Sequence, residues 1–178
     1  MDVERVRHFF VWLSRISHCR GFGIQSPSDY HLVRCVINEH WPYYQYEQMG
    51  SEDGWLQRKL GCLYFRLSNW RQPQTVVDAD MLSYWQAGCR KAQVVATANG
   101  RIELMRLVVA DGQAADVTAL FDRVDDQSVI VVEGINRNRQ IWRTVIADER
   151  VRVSFNLYYC GILLFDKKRA KKNYVINF

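Results

Sequence analysis

The sequence predicts an α/β fold: a Rossmann-like, mostly parallel sheet with helices on both faces, antiparallel C-terminal strands and an N-terminal helical extension. Three observations carry that expectation. From Thr75 onward, short apolar runs alternate with stretches of helical period, the pattern of parallel strands buried on both faces. Before Thr75 the chain shows only helical periodicity and turn signals. Close to the C-terminus the apolar runs crowd together, as strands that pair antiparallel at a sheet edge do. The expected organisation is an extension over residues 1–72 and an α/β domain over residues 73–178.

In the extension, Val3, Val6, Phe10, Leu13 and Ile16 recur at three- and four-residue spacing and predict a helix with one apolar face over Val3 to Ser17. Such a face needs something to pack on. After the turn Gly21-Phe22-Gly23, Ser26-Pro27-Ser28-Asp29 supplies an N-cap serine, a proline at the first helical position and an acid at the third. The helix that follows carries Tyr30, Val33, Val36 and Ile37 inward and stops before Pro42. Tyr43 to Gly54 has no period and reads as irregular. Leu56, Leu60, Leu63, Leu67 and Trp70 mark a third helix, closed by Pro73.

The α/β part opens with Thr75-Val76-Val77, followed by a helix over Leu82 to Lys91. Gln93 to Ala96 and Leu107 to Ala110 are the second and third runs, and Gly100 to Arg106 reads as the link between them. A helix through Val117, Leu120, Phe121 and Val124 leads to Ser128 to Val132, the strongest buried strand, and another helix spans Arg139 to Asp148. Val151 to Tyr159, Gly161 to Phe165 and Tyr174 to Phe178 are the closing strands.

Composition narrows the function classes. With 48% hydrophobic and 24% charged residues, the 178-residue chain is ordinary globular material, long enough to bury a core. Its five cysteines, Cys19, Cys35, Cys62, Cys89 and Cys160, are scattered and never spaced C-x-x-C, which argues against a disulfide framework or a zinc ribbon. No apolar run reaches membrane-spanning length and the start does not read as a secretory signal, so a cytoplasmic protein without membrane contact is expected. The net charge of +5 permits an acidic partner. The densest basic stretch, Lys167, Lys168, Arg169, Lys171 and Lys172, reads first as a solvated helix or turn, and as a nucleic-acid patch it predicts only weak, salt-sensitive binding.

Ligands of an open parallel sheet bind outside the carboxyl ends of the strands. The residues there are Asp78 and Asp80, Thr97 to Asn99, Asp111-Gly112 and Glu133-Gly134. Each acid also reads as a helix cap or a strand end in water, Asp80 more readily than Asp111. All four histidines, His8, His18, His31 and His40, fall in the extension; His31 and Cys35 are four apart, a spacing that permits metal ligation but lacks a second pair. No nucleophile elbow or P-loop is present. The turn after the first strand, Asp78-Ala79-Asp80-Met81-Leu82-Ser83-Tyr84-Trp85, contains no glycine, whereas a nucleoside site needs backbone to approach the ligand there.

Gly21-Phe22-Gly23-Ile24-Gln25-Ser26-Pro27, Leu60 to Pro73, Ser128 to Val132 and Asn156 to Phe165 together resemble a bacterial branch of the class I S-adenosylmethionine-dependent methyltransferases that carries an N-terminal helical extension. The first looks like that branch's Gly-x-Gly-Ile-His-Ser-Pro motif, and the last two like its fifth strand and closing hairpin. The resemblance implies cofactor-binding positions at Asp78, Asp111 and Gly112, and a remnant divalent-cation pair at Asp111 and Glu133. It also implies departures: Asp80-Met81-Leu82 replaces the glycine motif, Thr97-Ala98-Asn99 replaces the ribose acid, and a helix, strand and helix are missing after Gly100. The expectation is a methyltransferase-like protein with a degenerate cofactor site and no bound cofactor, acting as a binding or subunit protein and pairing as a homodimer or with a protein partner. An active O-methyltransferase using S-adenosylmethionine and a divalent cation, and a nucleic-acid-binding module, are the alternatives.

Overall fold

The computed structural model describes residues 3–109 and 114–178. Contacts divide the chain into two units: Pro73–Asp80 with Gln93–Val175 form one, and the residues up to Gln72, Met81–Ala92 and Ile176–Phe178 form the other.

The first unit is helical. Helix α1 spans Val3–Ser14 and runs into a 3-10 segment, Ile16–Gly21. The helix forms as the spacing predicts, yet the face expected to be buried is open: Phe10 is 64%, Leu13 47% and Ile16 53% exposed, and Phe9 beside them 56%. The helix instead turns His8 inward, its ring 4.6 Å from that of Trp55. Helix α2, Pro27–Leu32, starts as expected, with Ser26 Oγ accepting from the Asp29 N–H and Pro27 at its first turn. It then widens into a π-helix, Val33–Ile37, which directs Val33, Val36 and Ile37 inward.

A short helix α3, Gln45–Gln48, interrupts the irregular stretch. Helix α4, Trp55–Arg71, buries Leu60, Leu63, Tyr64, Phe65 and Leu67 and ends where Gln72 turns left-handed before Pro73. Against it packs α5, Leu82–Gly88: Tyr64 and Trp85 stack with centroids 4.8 Å apart, and Ser68 Oγ donates to the Trp85 carbonyl.

The second unit holds a seven-stranded sheet in the order β2-β1-β3-β4-β6-β5-β7. Strands β1 (Thr75–Val77), β2 (Gln93–Val95), β3 (Leu104–Val108) and β4 (Val129–Glu133) are mutually parallel. The antiparallel β6 (Cys160–Leu164) joins β4 to β5 (Val153–Asn156), and β7 (Lys172–Val175) closes the order. Two expectations need correction. Strand β3 begins at Leu104, so Arg106 lies inside it and not in the link. The last strand ends at Val175 and pairs parallel to β5, because antiparallel β6 already ends beside the start of β5, with Leu164 opposite Val153, and the turn through Lys167 and Lys168 carries the chain to the other flank of β5, where it runs forward again. Residues alternate across the pleat: Val77, Met105, Ile130, Val132 and Leu163 face one side. They form a core with Val117 of helix α6 (Ala114–Ala119), Phe121, and Ile141, Trp142 and Val145 of helix α7 (Arg139–Ala147). Each such large side chain removed from water contributes about 1.5–3 kcal/mol.

Candidate functional site

The opposite side of the sheet carries charge at the carboxyl ends of the strands. Val77 pairs with Met105, so Asp78 and Arg106 follow at one level on neighbouring strands, and β4 lies on the other flank of β3. The Arg106 guanidinium therefore reaches both ways. Its Nη1 donates to Asp78 Oδ1 at 2.9 Å and to Asp80 Oδ2 at 3.1 Å, and its Nε donates to Glu133 Oε2 at 2.7 Å. The side chains of Arg106 and Asp78 are only 9% and 2% exposed, those of Glu133 and Asp80 23% and 69%. A buried charge is tolerated only when paired and hydrogen-bonded. Each of the two most buried ions here meets that condition through the other.

This arrangement uses internally Asp78, Asp80 and Glu133, three of the acids that the sequence offers to a ligand. The Asp78 carboxylate also accepts the Asp80 N–H at 3.1 Å, which fixes the turn after β1. No residue from Asp78 to Leu82 has a positive φ, so the turn takes a path that asks for no glycine. After β2, Thr97 and Asn99 are exposed, and Arg123 ties the turn by donating to the carbonyls of Ala98 and Gly100 at 2.6 and 2.8 Å. After β4, Gly134 has a φ of 88°, and a Cβ there would lie 3.2 Å from the Val109 carbonyl oxygen. Its lack of a side chain follows from that backbone.

Asp111 and Gly112 lie outside the described residues. Asp78, Asp80 and Glu133 are brought together, by Arg106. Among the described residues, no group of three or more His, Cys, Asp and Glu is placed to hold a metal ion. His31 and Cys35 are both exposed, and the helix changes to the wider π form between them. His8 is held down to about 4, by burial first and by the Lys59 charge second. Of the basic stretch, Lys167 to Arg169 form a turn and Lys172 opens β7; Lys171 Nζ donates to the carbonyls of Ala147 and Asp148, and Arg169 pairs with Asp166 at 3.4 Å.

The sequence reading missed Arg106. One signal was available: in Leu104-Met105-Arg106-Leu107-Val108 the arginine is the single charged residue in an apolar run, at a position of defined face. No protein-family model, curated protein or solved structure matches this chain.

Proposed function

We propose that this chain is a methyltransferase-like protein whose cofactor site has degenerated and which acts as a binding or subunit protein. The observation that supports this reading is the ion cluster of Arg106 with Asp78, Asp80 and Glu133. An acid that holds a ligand hydroxyl must present its carboxylate to the ligand. Asp78 is buried and already bonded to a guanidinium and a backbone N–H. The turn after β1 has no glycine, whereas a nucleoside needs close backbone approach there.

For the binding role, the edge strand β2 offers unpaired backbone with Val94 and Val95 half-buried, and a second copy of the chain is the partner that such an edge fits. The exposed Phe9, Phe10, Leu13 and Ile16 favour a binding role as well. Calorimetric titration with S-adenosylmethionine tests the reading. The expected result is no binding tighter than about 1 mM, or ~4 kcal/mol. Micromolar binding would overturn this reading and favour the alternative of an active methyltransferase that holds its cofactor by unusual contacts.

A further inference from the structure

A separate feature lies wholly within the helical unit. Where α2 widens into the π-helix, its last carbonyls need donors from elsewhere. Arg66 of α4 supplies them: Nε donates to Val36 O at 2.6 Å and Nη2 to Ile37 O at 3.1 Å, while Nη1 reaches the Tyr46 hydroxyl at 3.1 Å. Arg66 is 7% exposed, and all three acceptors are neutral oxygens. The π-helix therefore has a buried positive charge fixed behind it.

In front of it, Arg20, Arg34, Asn38, Glu39, His40 and Trp41 line a cleft of about 470 Å³. Arg34 projects from the π-helix itself and is exposed. Arg20 is held by its backbone, with φ at 54°, a left-handed conformation that a non-glycine residue keeps only when its surroundings impose it. The surroundings do. Gly21 packs on Tyr30 and Val33, and Asn177 donates its N–H to His18 O at 3.0 Å and its side-chain amide to Cys19 Sγ at 3.1 Å. The one acid, Glu39, accepts from the Tyr43 hydroxyl at 2.9 Å. His40 reports the field, since burial first and then Arg66, Lys59, Arg20 and Arg34 hold its pKa below 6.5. Trp41 is 74% exposed.

We propose that this cleft binds a small phosphorylated molecule with a planar ring, of mononucleotide size, its phosphate on Arg20 and Arg34 and its ring on Trp41. Guanidinium forks match phosphate oxygens, and two of them offer more donors than a single carboxylate accepts. A volume in the range of organic-ligand pockets exceeds what an inorganic anion fills. An open indole face provides the stacking surface.

Calorimetry with adenosine monophosphate, adenosine and inorganic phosphate tests this on the full chain, with circular dichroism confirming that each variant is folded. The nucleotide is expected to bind at least about tenfold more tightly than the nucleoside. Arg34→Ala, at an exposed position, is expected to cost the nucleotide about tenfold, and Trp41→Ala to weaken the nucleotide while leaving phosphate unchanged. Equal binding of nucleoside and nucleotide, an unchanged Arg34→Ala variant, or binding of a single-stranded oligonucleotide but not the mononucleotide would each overturn the proposal. The phosphate and Arg34→Ala arms are distinguishable from the S-adenosylmethionine titration, because that cofactor carries adenosine but no phosphate.

Discussion

Arg106 Nη1 lies 2.9 Å from Asp78 Oδ1, one level beyond the last paired residues of β1 and β3, with both side chains nearly sealed from water. Neither ion is independent of the other. Arg106→Leu leaves a buried carboxylate without its guanidinium, and removing one partner of such a pair costs about 3–5 kcal/mol. The urea midpoint is expected to fall accordingly. The double variant Arg106→Leu, Asp78→Leu is expected to recover most of the loss, since two apolar side chains replace a pair that had to be desolvated. A double variant no more stable than the single one would show that Asp78 matters through its turn contacts instead.

Arg66 gives a second test. Arg66→Met removes the donors to Val36 O and Ile37 O together, at an expected cost of about 2–3 kcal/mol. Arg66→Lys is expected to recover little, because one ammonium cannot reproduce a planar fork spanning two carbonyls. Recovery of the full urea midpoint by lysine would mean that charge, not geometry, secures the π-helix.

The pH dependence of stability is expected to carry the signature of His8. Its folded pKa of about 4 lies below the ordinary 6.5, so the unfolded chain binds more protons between those values. Stability is fully present above 6.5 and declines as pH falls toward 4. His8→Phe keeps a ring against Trp55 and removes the titration. Its urea midpoint is expected to vary less than the parent's across that interval, and an identical slope would assign the acid sensitivity to other groups.

Self-association is expected through β2, the edge strand. Light scattering at micromolar concentration should give twice the 21.0 kDa of one chain, and Val94→Lys, which places a charge on the edge, should return it to one. A mass of 21.0 kDa for the parent chain would rule the pairing out.

The strand and helix order was legible in the sequence because it is written locally. Ser128 to Val132 is apolar throughout, and Ser26-Pro27-Ser28-Asp29 carries its own start signal. What escaped was non-local. Arg106 broke an apolar run, and its partners in the turn after β1 and on β4, 26 to 28 residues away, make a charge at that position acceptable. The parallel register of β7 against β5 depends on where a turn delivers the chain, and the grouping of α5 with α4 on a stacked pair, Tyr64 and Trp85. The widening of α2 has no local mark either, since its stabilising donor is 29 to 30 residues further on.

Asn177 binds the carbonyls of Trp12 and His18, so the helical unit takes its closing bonds from the far side of the entire sheet-bearing segment. On the ribosome, a nascent chain has translated all of Pro73–Val175 before Ile176–Phe178 can dock. The turn that sets Arg20 is therefore secured late, because Asn177 lies 158 residues beyond Cys19. Until then the first helices wait for a clasp still being made, and a release of synthesis short of Asn177 would yield a sheet whose companion unit lacks it.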